Sequence, residues 1–398
     1  MIKKEEKNII WQFINNHTSF VYYMIITVIA IIVRLLLIER ISGDYTIFLK
    51  PWFDTLKMNG GLAGLSQNIG NYTPIYMTVL ALLTYLPIKS IVTIKLVSII
   101  FDFIGAFTAK KIVDELLSDK KNKEPISWII YAVYLFLPTV LLNSAYWSQC
   151  DSIYTAFVLL SILKLIKKNY KLSILFWSIA LAFKFQAILI FPLYVLMYIV
   201  EGKIKFRYFL IIPLTVFVLS LPKAIYSHDL LVGFKVYIEQ AGTYSRYITL
   251  NFPNFYSIFL NQGEKNLIYA PFKEMGTVGI ISTFIILVTI TYIAYLKKVK
   301  FDKNAIIDFS LFIILIMTFF LPQMHERYMF MGDVIGLLYL VVNIKKYYVP
   351  IMIEFISLNG YMYLLFSGFA INFSTLSIAF LVLIIFYTKD MYVKYFKL

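Results

Sequence analysis

Leu321-Pro-Gln-Met-His-Glu-Arg-Tyr-Met-Phe330 joins two long apolar segments, Ile306–Leu321 and Tyr328–Val342. Each flank is close to the length a helix needs to cross hydrocarbon. The join sets a histidine, a carboxylate and an arginine side by side at a membrane boundary. An ionisable side chain at membrane depth costs about 2.5–3.5 kcal/mol on insertion scales, so three in a row are kept where something uses them. The chain has three histidines, and His17 and His228 have no comparable neighbours. Two expectations follow: a polytopic helical membrane protein, and a working site that includes His325, Glu326 and Arg327.

Composition points the same way. Of 398 residues, 60% are hydrophobic and 15% charged, where soluble domains run nearer 45–50% and about 25%. Mean hydropathy is +0.78. The net charge of +15 does not indicate nucleic acid, because the lysines sit in short clusters between apolar runs, as the positive-inside rule requires. The single cysteine, Cys150, excludes an internal disulfide and reads as a small buried hydrophobe. No small-residue cleavage site follows the first apolar run, which is therefore expected to be an anchor.

Lysine clusters set the expected topology. They occur at Lys3, Lys4 and Lys7, at Lys110-Lys111 through Lys123, at Lys164 to Lys171, at Lys203 to Arg207, at Lys297 to Lys303, at Lys345-Lys346 and at the carboxyl end. Placing all of them and both termini in the cytoplasm predicts about twelve membrane-embedded helices. Phe20–Ile38 is the first and Ile91–Val113 the second. Others are expected near Trp128–Leu142, Ser152–Leu165, Phe209–Leu221, Gly279–Leu296, Ile306–Leu321, Tyr328–Val342, Pro350–Leu365 and Ser374–Tyr387. Pro74 to Pro87 is short and bounded by prolines, so it reads as an interfacial helix in the first outer loop. Leu172 to Val200 has basic residues at both ends and is interrupted by Lys184-Phe-Gln186. It reads as two short helices with an outward turn, each about 20 Å long at 1.5 Å per residue. No repeat or soluble domain is visible, and residues 1–398 read as one integral membrane unit.

With that topology the unusual polar residues gather on the outer side. They are Gly43-Asp44 and Tyr72-Thr-Pro74 in the first loop, Trp147-Ser-Gln149-Cys-Asp151, Lys184 and Gln186, then Tyr244-Ser-Arg246 and Asn251, and the histidine stretch. One-sided clustering argues for a cavity lined by loops on a helical scaffold. Plainer readings stand beside each motif. Gly43-Asp44 also fits an ordinary turn, Trp147, Tyr146 and Tyr154 an aromatic belt, and Arg40, Arg246 and Arg327 snorkelling surface cations.

In order, these motifs resemble the GT-C superfamily of polytopic glycosyltransferases, and most closely its bacterial branch similar to GPI mannosyltransferase II. That branch has Gly-Asp after the first helix, Tyr-Pro-Pro closing the first loop, then Trp-Gly-Gln-x-Asp-Ser, Lys-Pro-Gln and His-Glu-Arg-Tyr. The counterparts are Gly43-Asp44, Tyr72-Thr73-Pro74, Trp147-Ser-Gln149-Cys-Asp151-Ser152, Lys184-Phe-Gln186 and His325-Glu-Arg-Tyr328. The resemblance spans residues 20–330; residues 331–398 carry further helices without a motif. Thr73, Ser148 and Phe185 depart from the pattern and leave the sugar open.

The resemblance implies an inverting transferase that takes a hexose from a polyprenyl-phosphate donor to an acceptor hydroxyl on a glycan or lipid at the outer face. It points to Asp44 as the general base. Arg327, His325, Lys184 and Arg246 are the cations expected at the donor phosphate. Glu326, Asp151, Gln149, Trp147, Gln186, Tyr72 and Asn251 are expected to orient substrate or partners. No cofactor is expected; a divalent metal on Asp44, Asp151 and His325 is conceivable but not favoured where cations already serve the phosphate. The alternatives are a membrane transporter or lipid flippase, or a glycan polymerase or ligase using a lipid-diphosphate donor. Transporters favour broken helices near the midplane and internal repeats, which this pattern lacks.

Overall fold

A computed structural model describes residues 18–243, 246–259, 266–268, 270–366 and 371–397. Lys3, Lys4, Lys7, Tyr244 and Ser245 lie outside the described residues.

In chain order the helices are α1 (Thr18–Leu37), α2 (Lys50–Met58), α3 (Pro74–Leu83), α4 (Ser90–Leu116), α5 (Lys123–Phe136), α6 (Pro138–Leu141), α7 (Asp151–Ile166) and α8 (Tyr170–Phe183). They continue as α9 (Phe191–Glu201), α10 (Ile211–Ser227), α11 (Val232–Thr243), α12 (Lys273–Leu296), α13 (Lys303–Phe320), α14 (Phe330–Val342), α15 (Tyr348–Phe366) and α16 (Phe373–Met391). The chain is an all-α polytopic membrane protein. Among the described residues seven helices are long and apolar enough to cross a bilayer, eight if the bent α5–α6 pair counts as one, with four shorter apolar helices beside them. The expectation of about twelve counted three of these short helices, all but Pro74–Leu83, as spans, and the 16-residue α7 with them.

Several local features follow from the sequence. Proline at the first position of α3 starts a ten-residue helix, too short to span. Lys184 adopts an extended conformation that ends α8, and a short 3-10 turn (Phe185–Ile190) leads into α9. The segment expected as one span over Trp128–Leu142 is broken instead. Pro138 cannot continue α5, and the chain bends by 49° into α6 and a π-type turn, Leu142–Tyr146. Glu354 of α15 reaches into the break, accepting the Thr139 backbone N–H at 3.0 Å and its hydroxyl at 2.9 Å.

The basic clusters expected to lie together do meet at one end of the bundle. There Glu115 pairs with Lys167 at 2.7 Å, Lys303 Nζ donates to the Glu115 carbonyl at 2.8 Å, and Lys346 meets Asp390 at 2.9 Å. Lys394 reaches Asp308, near the start of α13, at 2.5 Å. The motif residues lie at the opposite ends of the same helices. A buried pair inside the bundle, Arg34 Nε to Asp102 Oδ2 at 2.9 Å, ties α1 to α4, and Ser144 donates to the same oxygen at 2.5 Å. It anchors the bent segment that leads to Trp147.

Candidate functional site

Asp44 is placed by a turn that does not use its glycine. Gly43 has no left-handed φ, and nothing lies within 4 Å of where a Cβ would sit. The turn is tied by Ser42, whose hydroxyl donates to the Trp147 carbonyl at 2.6 Å and accepts the Tyr45 N–H at 3.2 Å. Asp44 then opens a helical segment, with φ −63° and ψ −33°, that runs through a π-type turn into α2. Its side chain is half-buried.

The Trp147–Asp151 segment follows the bend. Ser148 takes a left-handed φ of 75°, and the Gln149 N–H returns to the Asn143 carbonyl at 2.8 Å. This aims the Gln149 amide at two partners. Nε2 donates to Asp44 Oδ2 at 2.5 Å, and Oε1 accepts the Tyr72 hydroxyl at 3.2 Å. Trp147 is fully buried, edge-on to Tyr361 at 5.3 Å, and Tyr154 is buried as well. The aromatic-belt reading of these rings fails, since a belt sits at the lipid–water boundary.

The His325 stretch is held by strand pairing that its sequence does not reveal. Met324–His325 (β3) runs parallel to Tyr247–Leu250 (β1), which pairs antiparallel with Asn266–Ile268 (β2). The Glu326 N–H continues the ladder to the Leu250 carbonyl at 3.0 Å. Gln323 and Asn251, with φ of 63° and 54°, turn the chain on either side. Arg327 donates to Glu326 Oε1 at 2.8 Å and stacks its guanidinium 5.4 Å from the Trp147 ring centre. His325 Nδ1 lies 3.6 Å from Glu326 Oε2. Helix α15 approaches closely because Gly360 has no side chain: a Cβ there would meet the Asn251 carbonyl and Glu326 Cβ at 2.9 Å.

Two adjoining cavities share Asn71, Tyr72 and Arg327. The first, about 150 Å³, is also lined by Asp44, Trp147, Gln149, Asn251, His325 and Glu326. The second, about 70 Å³, is lined by Lys184, Gln186, Gln240 and Tyr328 among others. The structure thus brings together every candidate except two. Arg246 is exposed and lines neither cavity. Asp151 is fully buried and takes Lys184 Nζ at 2.5 Å, Asn143 Nδ2 at 2.8 Å and, more distantly, Arg327 Nε at 3.7 Å. It organises cations behind the cavity wall, and Lys184 reaches the second cavity already paired.

Burial works against every charge in the histidine stretch and prevails at His325 alone. It lowers the His325 pKa below the usual histidine value, and nearby Arg327 and Lys184 add to that against the opposing pull of Glu326. His325 is therefore a neutral hydrogen-bonding group at neutral pH, not the cation expected. Burial also opposes the charge on Glu326, but His325 and Arg327 outweigh it and keep the carboxylate ionised. For Arg327 the burial penalty is overcome by Glu326, Tyr72, Asp151 and Asp44. One firmly charged guanidinium stands between the cavities. Among the described residues no three His, Cys, Asp or Glu side chains form a group that could hold a metal ion.

Sequence reasoning missed Tyr361, whose hydroxyl accepts from Asn143 Nδ2 at 3.0 Å, and Gly360, both in the part of the chain without a motif. The polar run Ser357-Leu-Asn359-Gly360 inside an apolar helix is the signal that marks them.

Residues 58–235 match the family described as GPI transamidase subunit PIG-U, a polytopic membrane family related to GT-C-like proteins. The matched segment includes Tyr72, Trp147–Asp151 and Lys184–Gln186. It excludes Asp44 and His325–Tyr328. No curated protein matches the chain.

Proposed function

We propose that this chain is a GT-C-type membrane glycosyltransferase that moves a hexose from a polyprenyl phosphate to an acceptor hydroxyl. The observation that carries the reading is Asp44, a half-buried carboxylate at an accessible cavity, aimed by Gln149 and facing a wall that holds Arg327. Base and phosphate-binding cation share one chamber, as a single displacement requires. The acceptor hydroxyl gives its proton to Asp44 while its oxygen attacks the anomeric carbon. The bond from that carbon to the phosphate oxygen breaks, and the phosphate leaves with the electron pair. A positioned base contributes about 10²–10⁴-fold, and a cation preset for the leaving charge on the order of 3–4 kcal/mol, by analogy with oxyanion holes. Arg327 offers the planar fork that phosphate favours. His325 and Asn251 supply neutral hydrogen bonds for sugar hydroxyls. Lys184, neutralised by Asp151, adds little net charge to that of Arg327. In this reading no metal takes part, the motif end of the bundle faces outward, and the lysine end faces the cytoplasm.

The PIG-U match favours a second reading, in which the chain recognises a lipid-linked glycan as a subunit of a larger membrane assembly. That match omits Asp44 and the histidine stretch, so it accounts for the scaffold and not for these residues. Incubating purified protein with a panel of polyprenyl-phosphate sugars and an acceptor extract decides between them. Release of polyprenyl phosphate, lost in Asp44→Asn, supports transfer. Binding of the lipid-linked sugars without release by any panel member supports the second reading.

A further inference from the structure

A cavity of about 490 Å³ opens at the lysine-bearing end, at the opposite end of α7 from Asp151. Its volume lies within the range of ligand sites, about 300–1,000 Å³, and the transfer reaction has no use for it. Leu165, Ile166, Met197 and Phe301 give it an apolar floor, and Lys168, Lys203, Lys300 and Lys303 stand around it with Glu115, Glu201 and Asp302.

The carboxylates are already engaged. Glu115 pairs with Lys167 at 2.7 Å. Glu201 takes Lys203 and the Phe301 N–H, each at 3.0 Å. Asp302 caps α13 through the Ala305 N–H at 2.8 Å. Lys303 turns away to the Glu115 carbonyl and the Ser118 hydroxyl, at 2.8 and 2.6 Å. That leaves Lys168 and Lys300, cations for which no carboxylate partner stands among the described residues.

Lys168 occupies a position that favours glycine. Its φ is +59°, its N–H returns to the Leu165 carbonyl at 2.9 Å, and the Asn169 N–H returns to the Lys164 carbonyl at 2.8 Å. This is the Schellman ending of a helix, whose left-handed residue glycine adopts without steric cost. A lysine there is strained; Lys298 ends α12 in the same way without lining the cavity, so what sets Lys168 apart is its place at the cavity.

We propose that this cavity binds the headgroup of an anionic phospholipid, with Lys168 and Lys300 at the phosphate and the first apolar carbons against Leu165, Ile166, Met197 and Phe301. Basic pockets between helix ends at a membrane surface suit such headgroups. A free phosphate would leave the apolar floor without a role.

The test uses the full chain, immobilised in non-ionic detergent, with radiolabelled phosphatidylglycerol as probe. Saturable retention is expected, displaced by unlabelled phosphatidylglycerol and not by phosphatidylcholine or glycerol phosphate. Lys168→Gln with Lys300→Gln should weaken binding about thirtyfold, from about 1 kcal/mol per lysine. Lys120→Gln with Lys121→Gln, exposed at the same end but off the cavity, should leave it unchanged. Lys168→Gly separates site from fold, because it relieves the backbone strain. It should melt at or above the wild-type temperature and still bind more weakly. Equal retention by the Lys168 and Lys300 variants, displacement by phosphatidylcholine, or equally strong displacement by glycerol phosphate each overturns the proposal.

Discussion

Lys184 Nζ stands 2.5 Å from Asp151 Oδ1, with Asp151 fully buried and Lys184 nearly so. A carboxylate so placed is the counter-charge of a buried cation, and it is poorly placed to meet an incoming hydroxyl. Removing one partner of such a pair strands the other, at about 3–5 kcal/mol. Asp151→Asn is therefore expected to lower thermal stability sharply in detergent, whereas Asp151→Leu combined with Lys184→Met recovers much of the loss. An Asp151→Asn protein that melts like wild type and turns nothing over would make Asp151 a rival to Asp44 for the role of base.

Arg327 is held by Glu326 at 2.8 Å and by the Trp147 face, so its fork has a fixed direction. Lysine keeps the charge and loses the planar fork and the stacking plane. Arg327→Lys should cut turnover at least tenfold with the fold intact, as circular dichroism would report. Near-normal turnover and donor binding in Arg327→Ala would demote the residue to a structural cation.

His325 makes stability depend on pH. Burial depresses its folded pKa below the ordinary histidine value of about 6.5. Below that value the unfolded chain takes up the proton more readily than the folded one, so stability falls with falling pH. The contribution is complete above about pH 6.5 and is lost between there and the lower folded pKa. Melting temperatures of wild type and His325→Gln, followed from pH 8 to pH 5, should show the steeper acid loss in wild type. Parallel curves would remove this role.

The elements legible in the sequence were those with a chemical stop signal. Pro74 started the short α3, and Lys184-Phe-Gln186 parted α8 from α9 where the basic residues at both ends demanded a return. Pro138 carried an equally clear signal, but the run around it was apolar enough to pass for one straight span. The site's order along the chain was legible because polar residues are rare here. Its closure was not, because β3 is two residues long and has no periodicity to read. Its parallel pairing with β1 depends on a partner more than 70 residues earlier. Tyr361 was missed although the polar run Ser357-Leu-Asn359-Gly360 precedes it, because its own hydroxyl shows a use only once Asn143 is seen against it. Arg246 failed in the other direction: proximity in sequence to Asn251 did not bring its side chain to the cavity.

Asp44 carries the sharpest expectation. It is half-buried, and its one described side-chain partner is Gln149. Asparagine fits the same space and can turn its carbonyl oxygen toward Gln149 Nε2, so the fold should lose no more than about 0.5 kcal/mol, as surface substitutions do. What asparagine cannot do is take the acceptor's proton. Asp44→Asn should therefore reduce turnover about 10²-fold or more with donor binding nearly unchanged, measured by polyprenyl phosphate release and by lipid-donor retention on the same preparation. Gln149→Ala gives a second check, because it removes the group that aims the carboxylate while leaving the carboxylate itself. Misaiming a reacting group by about 1 Å can cost 10²-fold, and the loss should fall on kcat more than on KM. If Gln149→Ala were silent while Asp44→Asn was dead, the base would stand and the aiming role would not. If both were fully active, Asp44 would be an ordinary helix-start residue and the transfer reading would fall with it.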